Sequence, residues 1–125
     1  MKKSDVVNQF RKMEISKADL QAFFGNDLHN ADCSKPQKIT RFDVVNAVQA
    51  MLDGSKSVLD VVEWVNVVWF TDLFTFHDDE TDSIVSVLGV LETLDEEGVV
   101  ATTDELKNMV SALRENKEYS AIGRT

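Results

Sequence analysis

A chain of 125 residues that is 43% apolar and holds one proline and five glycines has enough length to bury roughly two-thirds of the surface its unfolded form exposes, and that composition argues against a disordered or all-β polypeptide. No run of about 18 apolar residues is present to span a membrane, and nothing after Met1-Lys2-Lys3 reads as a secretion signal. Cys33 has no second cysteine, so one cytoplasmic domain over residues 1–125, with a free thiol and no bound metal or cofactor, is the expectation. With 22 acids against 13 bases the net charge is −9, and the basic residues of the N-terminal stretch, Lys2, Lys3, Arg11 and Lys12, are few and offset by Asp5 and Glu14, which disfavours a direct nucleic-acid binder.

In chain order, the first amphipathic stretch predicts a helix over 4–13. The second, over 16–25, opens on Ser16-x-x-Asp19, a capping box in which the hydroxyl takes an orphan helix N–H and the acid returns to the cap's own N–H. Ile15 before it can staple to Leu20, and Gly25 closes it. Residues 25–38, "GNDLHNADCSKPQK", show no periodicity. A connection of this length in a compact domain is functional or mobile. Its His29, Cys33, Asp27 and Asp32 invite a zinc reading, but one histidine and one cysteine without repeated spacing make a poor ligand set. A polar surface loop with Leu28 turned inward is the plainer reading.

Thr40-x-x-Asp43, stapled by Ile39 to Val44, opens a third helix over 40–53, with Val44, Val48, Met51 and Leu52 on one stripe and Gly54 as its stop. Ser57-x-x-Asp60 opens a fourth over 58–74, "VLDVVEWVNVVWFTDLF". It is apolar nearly all round, with Asp60, Glu63 and Asn66 as a narrow polar stripe, so it should form the buried centre and take Trp64 and Trp69 into the core. The valines leave a strand over Val65–Phe70 as an alternative. A fifth helix, 82–97, carries Ile84, Val87, Leu88, Leu91 and Leu94 on one face and stops before Gly98. Thr102-x-x-Glu105 opens a sixth, over 103–116, lined by Leu106, Met109, Val110 and Leu113. The expected fold is an all-α bundle of six helices.

Between the fourth and fifth helices the apolar run breaks into His77-Asp78-Asp79-Glu80-Thr81-Asp82. A calcium-binding helix-loop-helix needs glycine at its sixth position and glutamate at its twelfth, and counting from Asp78 these are Ser83 and Gly89. Adjacent acids do not form a carboxylate pair held across a pocket, and no serine or cysteine is tied to His77 by a motif. No nucleophile-base pair or phosphate loop emerges, so the chain is not expected to be an enzyme. Capping of the next helix accounts for one or two of the acids, each contributing about 0.3–1 kcal/mol.

The surplus is regional. From Ser57 to Leu106 there are 13 acids and no lysine or arginine, so the remaining residues hold all 13 bases and 9 acids. Asp95, Glu96 and Glu97 fall in the expected last turn of the fifth helix, where the dipole is already negative and each acid costs a fraction of a kcal/mol. Such charge serves solubility or a basic partner.

The segments "DVVEWVNVVWFTD", "HDDETD" and "IVSVLGVLETLDEEG" resemble the second half of small acidic helical immunity proteins of bacterial colicin and contact-dependent toxin systems. The resemblance spans Ile39–Leu113 and rests on a Trp-containing helix, an acid break and an I-x-x-V-L-x-x-L helix. It implies a protein that binds one toxin, often a nuclease with a basic cleft, through an acidic face. The partner-binding residues expected on that reading are Asp78, Asp79, Glu80, Asp82, Asp95, Glu96 and Glu97, with Phe74 and Phe76 beside them, on a monomer or homodimer. Two other classes share the same features: a phage-type inhibitor or DNA mimic whose acids imitate duplex phosphates, and an oligomeric helical regulator.

Overall fold

The computed structural model describes residues 3–25, 36–71, 73–96, 98 and 100–119. The fold is all-α, with six helices and one small ribbon. In order these are α1 (Lys3–Arg11), α2 (Lys17–Phe24), strand β1 (Gln37–Ile39), α3 (Arg41–Leu52), α4 (Val58–Phe70), strand β2 (Phe74–Phe76), one 3-10 turn (Asp78–Glu80), α5 (Thr81–Leu91) and α6 (Thr103–Arg114).

Three helices start on complete capping boxes. Ser16, Thr40 and Ser57 each accept the N–H of the aspartate three residues on, and Asp19, Asp43 and Asp60 each accept the cap's own N–H. Thr102 accepts the Glu105 N–H at 3.1 Å. The α3 stop is the expected one, with Gly54 at φ +79, a left-handed conformation that a side chain resists.

The boxes at Ser16 and Ser57 have a consequence for acid stability. Hydrogen bonds from the backbone and hydroxyl of Ser16 hold the Asp19 carboxyl below its usual range, and those of Ser57 do the same for Asp60. A depressed folded-state value stabilises the fold above the unfolded value of 3.8 and loses that contribution as pH falls through the folded value. Proton titration followed by NMR should therefore find both carboxylates still ionised below pH 3.8, and Ser16→Ala or Ser57→Ala, which removes the hydroxyl but keeps the backbone N–H that contributes most, should move its neighbour only part of the way back to the ordinary range.

α3 to α6 run alternately up and down. Arg41 at the start of α3 meets the last turn of α6, and Ser83 at the start of α5 meets Asn116 just beyond α6. At the opposite end, Met51, Val58, Leu94 and Leu106 come together from α3, α4, the end of α5 and α6. The α1–α2 pair packs on α4, which touches α1, α2, α3, α5 and β2 and buries Val61, Val62, Trp64, Val65, Val67 and Val68. α4 is thus the central helix its composition predicts, and Val65–Phe70 is helical. Trp64 is 1% exposed, with its indole N–H shared between the carbonyls of Phe10 and Arg11 at 3.1 and 3.2 Å. Trp69 is half-buried and stacked on exposed Phe70, ring centroids 5.8 Å apart.

Two helix ends differ most from the expected ones, while α1 and α6 each stop two residues early. α4 stops at Phe70 rather than 74, because the Thr71 hydroxyl donates to the Val67 carbonyl at 2.6 Å while its backbone turns extended, a local bond that competes with the helical one. The chain then enters β2, which pairs in parallel with β1, Gln37 opposite Phe74 and Ile39 opposite Phe76. α5 stops at Leu91 rather than 97. The Thr93 hydroxyl bonds the Val90 carbonyl, and the backbone tightens into turns linking Thr93 to Val90, Leu94 to Leu91 and Glu96 to Thr93.

Candidate interaction surface

The acid break sits where β2 hands over to α5. The His77 N–H donates to the Ile39 carbonyl, which ties the break to the ribbon, and the His77 carbonyl then accepts from the Glu80 N–H and the Thr81 hydroxyl. Asp78 and Asp79 project into solvent from the 3-10 turn, and Asp82 does so from the first turn of α5. None of the three makes an ion pair among the described residues. Nor does any acid cap α5, which has no side-chain cap bond.

Glu80 behaves differently from its neighbours. Its carboxylate turns inward onto Arg41, accepting from Nε at 2.5 Å and from the backbone N–H at 3.3 Å, so it caps α3 instead of α5. The Arg41 guanidinium also donates through Nη1 to the carbonyls of Leu113 and Arg114 at 3.2 and 3.0 Å, joining the start of α3, the acid break and the end of α6. Asn116 completes the junction. It adopts φ 54, donates to the Asp79 carbonyl and accepts from the Ser83 hydroxyl. Arg114 and Lys117, both exposed, flank it, so this end of the bundle carries both signs of charge.

Asp95 and Glu96 are exposed at the other end of α5. Thr81–Leu91 spans 11 residues, about 16 Å at 1.5 Å per residue, so the acids expected on one face form two groups at opposite ends of a helix. The dipole penalty expected for Asp95 and Glu96 also changes, since both lie beyond the α-helix. Glu97 is outside the described residues, as are Asp72 and residues 26–35 with His29 and Cys33.

The expected aromatic anchors are largely inside. Phe74 is 7% exposed and packs on Phe10 at 6.3 Å between ring centroids, because β2 alternates and its first residue points inward. Phe74 therefore lies in the core and not on the binding surface expected for it. Phe76 is half-buried. The exposed aromatics are Phe23, Phe42 and Phe70, with the Arg41 guanidinium 5.2 Å from the Phe42 ring centroid. Phe70 could have been found from sequence, since it continues the polar stripe of Glu63 and Asn66 at a helical interval.

Near Asp95 and Glu96 the bundle end opens into an apolar groove of about 280 Å³, lined by Met51, Val58, Leu94, Val100, Ala101 and Leu106. Val58 is 46% and Val100 73% exposed. Asp53 and Asp104, both exposed, stand at the same end, on the α3 C-cap and the first turn of α6. The Ser55 side chain and N–H hold the Asp53 carboxyl below its usual range. Lys56 is close enough to Asp60 to favour its charged form and lines the separate crevice of Asp60, Glu63 and Trp64.

Among the described residues no three His, Cys, Asp or Glu side chains are grouped to hold a metal ion, and no helix is long and apolar enough to cross a membrane. Comparison with known proteins finds no family model, no curated relative and no solved structure that matches this chain.

Proposed function

We propose that this protein binds and neutralises a basic protein without turning over a substrate of its own, and that its partner is a cognate bacterial toxin. The observation that carries the reading is the set of exposed acids Asp78, Asp79, Asp82, Asp95 and Glu96, unpaired among the described residues. They are held on a scaffold whose inward-turned acids, Asp43 and Glu80, are matched by Arg11 and Arg41. Unpaired surface carboxylates on a chain of net charge −9 steer a basic partner into encounter, while apolar contacts set how long the complex lasts.

The test is expression of the neighbouring gene's product alone and together with this chain. The neighbour should arrest growth alone and be harmless in company, and the two should form a complex whose association slows steeply with salt. Reversing Asp79 and Glu96 together to lysine should leave the melting temperature unchanged, since both are exposed, and slow association by an order of magnitude or more at low salt. A neighbour that is harmless by itself removes the immunity reading.

A further inference from the structure

We infer that the groove between the end of α3 and the α5–α6 connection receives a basic, apolar-tipped segment of the protein partner, one large aliphatic or aromatic side chain flanked by lysine or arginine. This rests on the reading above and names where the binding energy comes from. The groove offers about 280 Å³ walled by apolar side chains, below the roughly 300–1,000 Å³ of pockets that enclose a drug-sized ligand and suited to one or two side chains of a chain crossing the surface. Val58 and Val100, two of the large apolar side chains left open to water, stand on its walls.

Charge decides among occupants. Asp53, Asp95, Glu96 and Asp104 are exposed at this end, Asp53 is held ionised by Ser55, and Lys56 faces Asp60 across a different crevice. Lys107 is the exposed base nearby on α6. A second copy docked through the same face would bring the same carboxylates against these, and an anionic membrane would be repelled by them. A segment of opposite charge gains from every one. The end of the bundle around Asp78, Asp79 and Asp82 offers less, because Arg41, Arg114 and Lys117 stand among its acids.

The probe is a capped hexapeptide, Lys-Lys-Leu-Phe-Lys-Lys, titrated into the isotope-labelled protein and followed by amide shifts, beside Lys-Lys-Ser-Ser-Lys-Lys at equal charge. The Leu-Phe peptide should move amides at Val58, Leu94, Ala101 and Leu106 and bind at least tenfold more tightly than the Ser-Ser peptide. Val100→Lys, at a position too exposed to disturb folding, and Ala101→Trp, which fills the groove, should each weaken it at least fivefold, while Asp79→Lys should change it less than twofold. Equal binding of the two peptides, shifts centred on Asp78–Asp82, indifference to both groove variants, or no binding at millimolar peptide would each overturn the assignment. The neighbouring-gene experiment separates the two claims. Rescue that survives Ala101→Trp with undiminished affinity overturns the groove and leaves the neutralising function standing, whereas a harmless neighbour removes that function and leaves the peptide result intact.

Discussion

Trp64→Ala should lower unfolding free energy by about 3–5 kcal/mol, the largest loss expected from any single truncation in this chain. The indole is 1% exposed at the centre of α4, so its removal opens a cavity that helices packed on several sides cannot collapse into. It also withdraws the donor shared by the Phe10 and Arg11 carbonyls, which is what docks the end of α1. On a domain whose total stability is typically about 5–15 kcal/mol, that is a fifth or more. Trp64→Phe keeps most of the volume and separates the two contributions: about 1–2 kcal/mol should remain, attributable to the lost hydrogen bonds and residual space. Trp69→Ala, at a half-buried residue stacked on Phe70, should cost clearly less than Trp64→Ala. Urea unfolding monitored by circular dichroism measures all three, and a Trp69 loss equal to that of Trp64 would contradict the packing described. Fluorescence offers an independent check, because acrylamide should quench Trp69 and spare Trp64.

The second large effect is expected at Arg41. Its guanidinium and backbone together satisfy the Glu80 carboxylate and the last carbonyls of α6, at side-chain exposures of 20% for Arg41 and 12% for Glu80. Arg41→Ala removes the charge partner of a carboxylate that is largely out of water and should cost about 2–4 kcal/mol. Arg41→Lys should recover less than half of this, since one ammonium cannot serve a carboxylate and two carbonyls at once as a planar fork does. In a cycle with Glu80→Ala the two losses should fail to add by at least about 1 kcal/mol. Additive losses would mean that the pair is as weak as an exposed surface bridge.

The starts of α2, α3, α4 and α6 are legible because each rests on chemistry between residues three apart. Ser16, Thr40 and Ser57 all close the boxes their spacing announces. The stops of α4 and α5 were less so. Thr71 and Thr93 sit inside apolar runs that read as continuing helix, and only the hydroxyl bonds to Val67 and Val90 show why the backbone leaves. The parallel ribbon and the Arg41–Glu80 junction join residues from either side of α3 and α4, and no local pattern encodes such a partnership. The acids were visible in sequence and their grouping was not. Asp78 and Glu96 are set apart by the length of the helix between them, and Phe74 points inward because its segment is a strand rather than the end of a helix.

The β1–β2 ribbon also bears on the order in which the molecule assembles. Gln37 can meet Phe74 in parallel register only after the chain between them has doubled back through α3 and α4, so ribbon closure bears the entropy of a long loop. The α3–α4 hairpin, built from local contacts and two complete capping boxes, has no such delay. Folding should therefore nucleate on that hairpin and close the ribbon afterwards, with α5 waiting for it because the His77 N–H at its threshold is bonded to the Ile39 carbonyl. Substitutions in the ribbon such as Ile39→Val should then speed unfolding and barely slow folding, whereas Val48→Ala in the hairpin should slow folding itself.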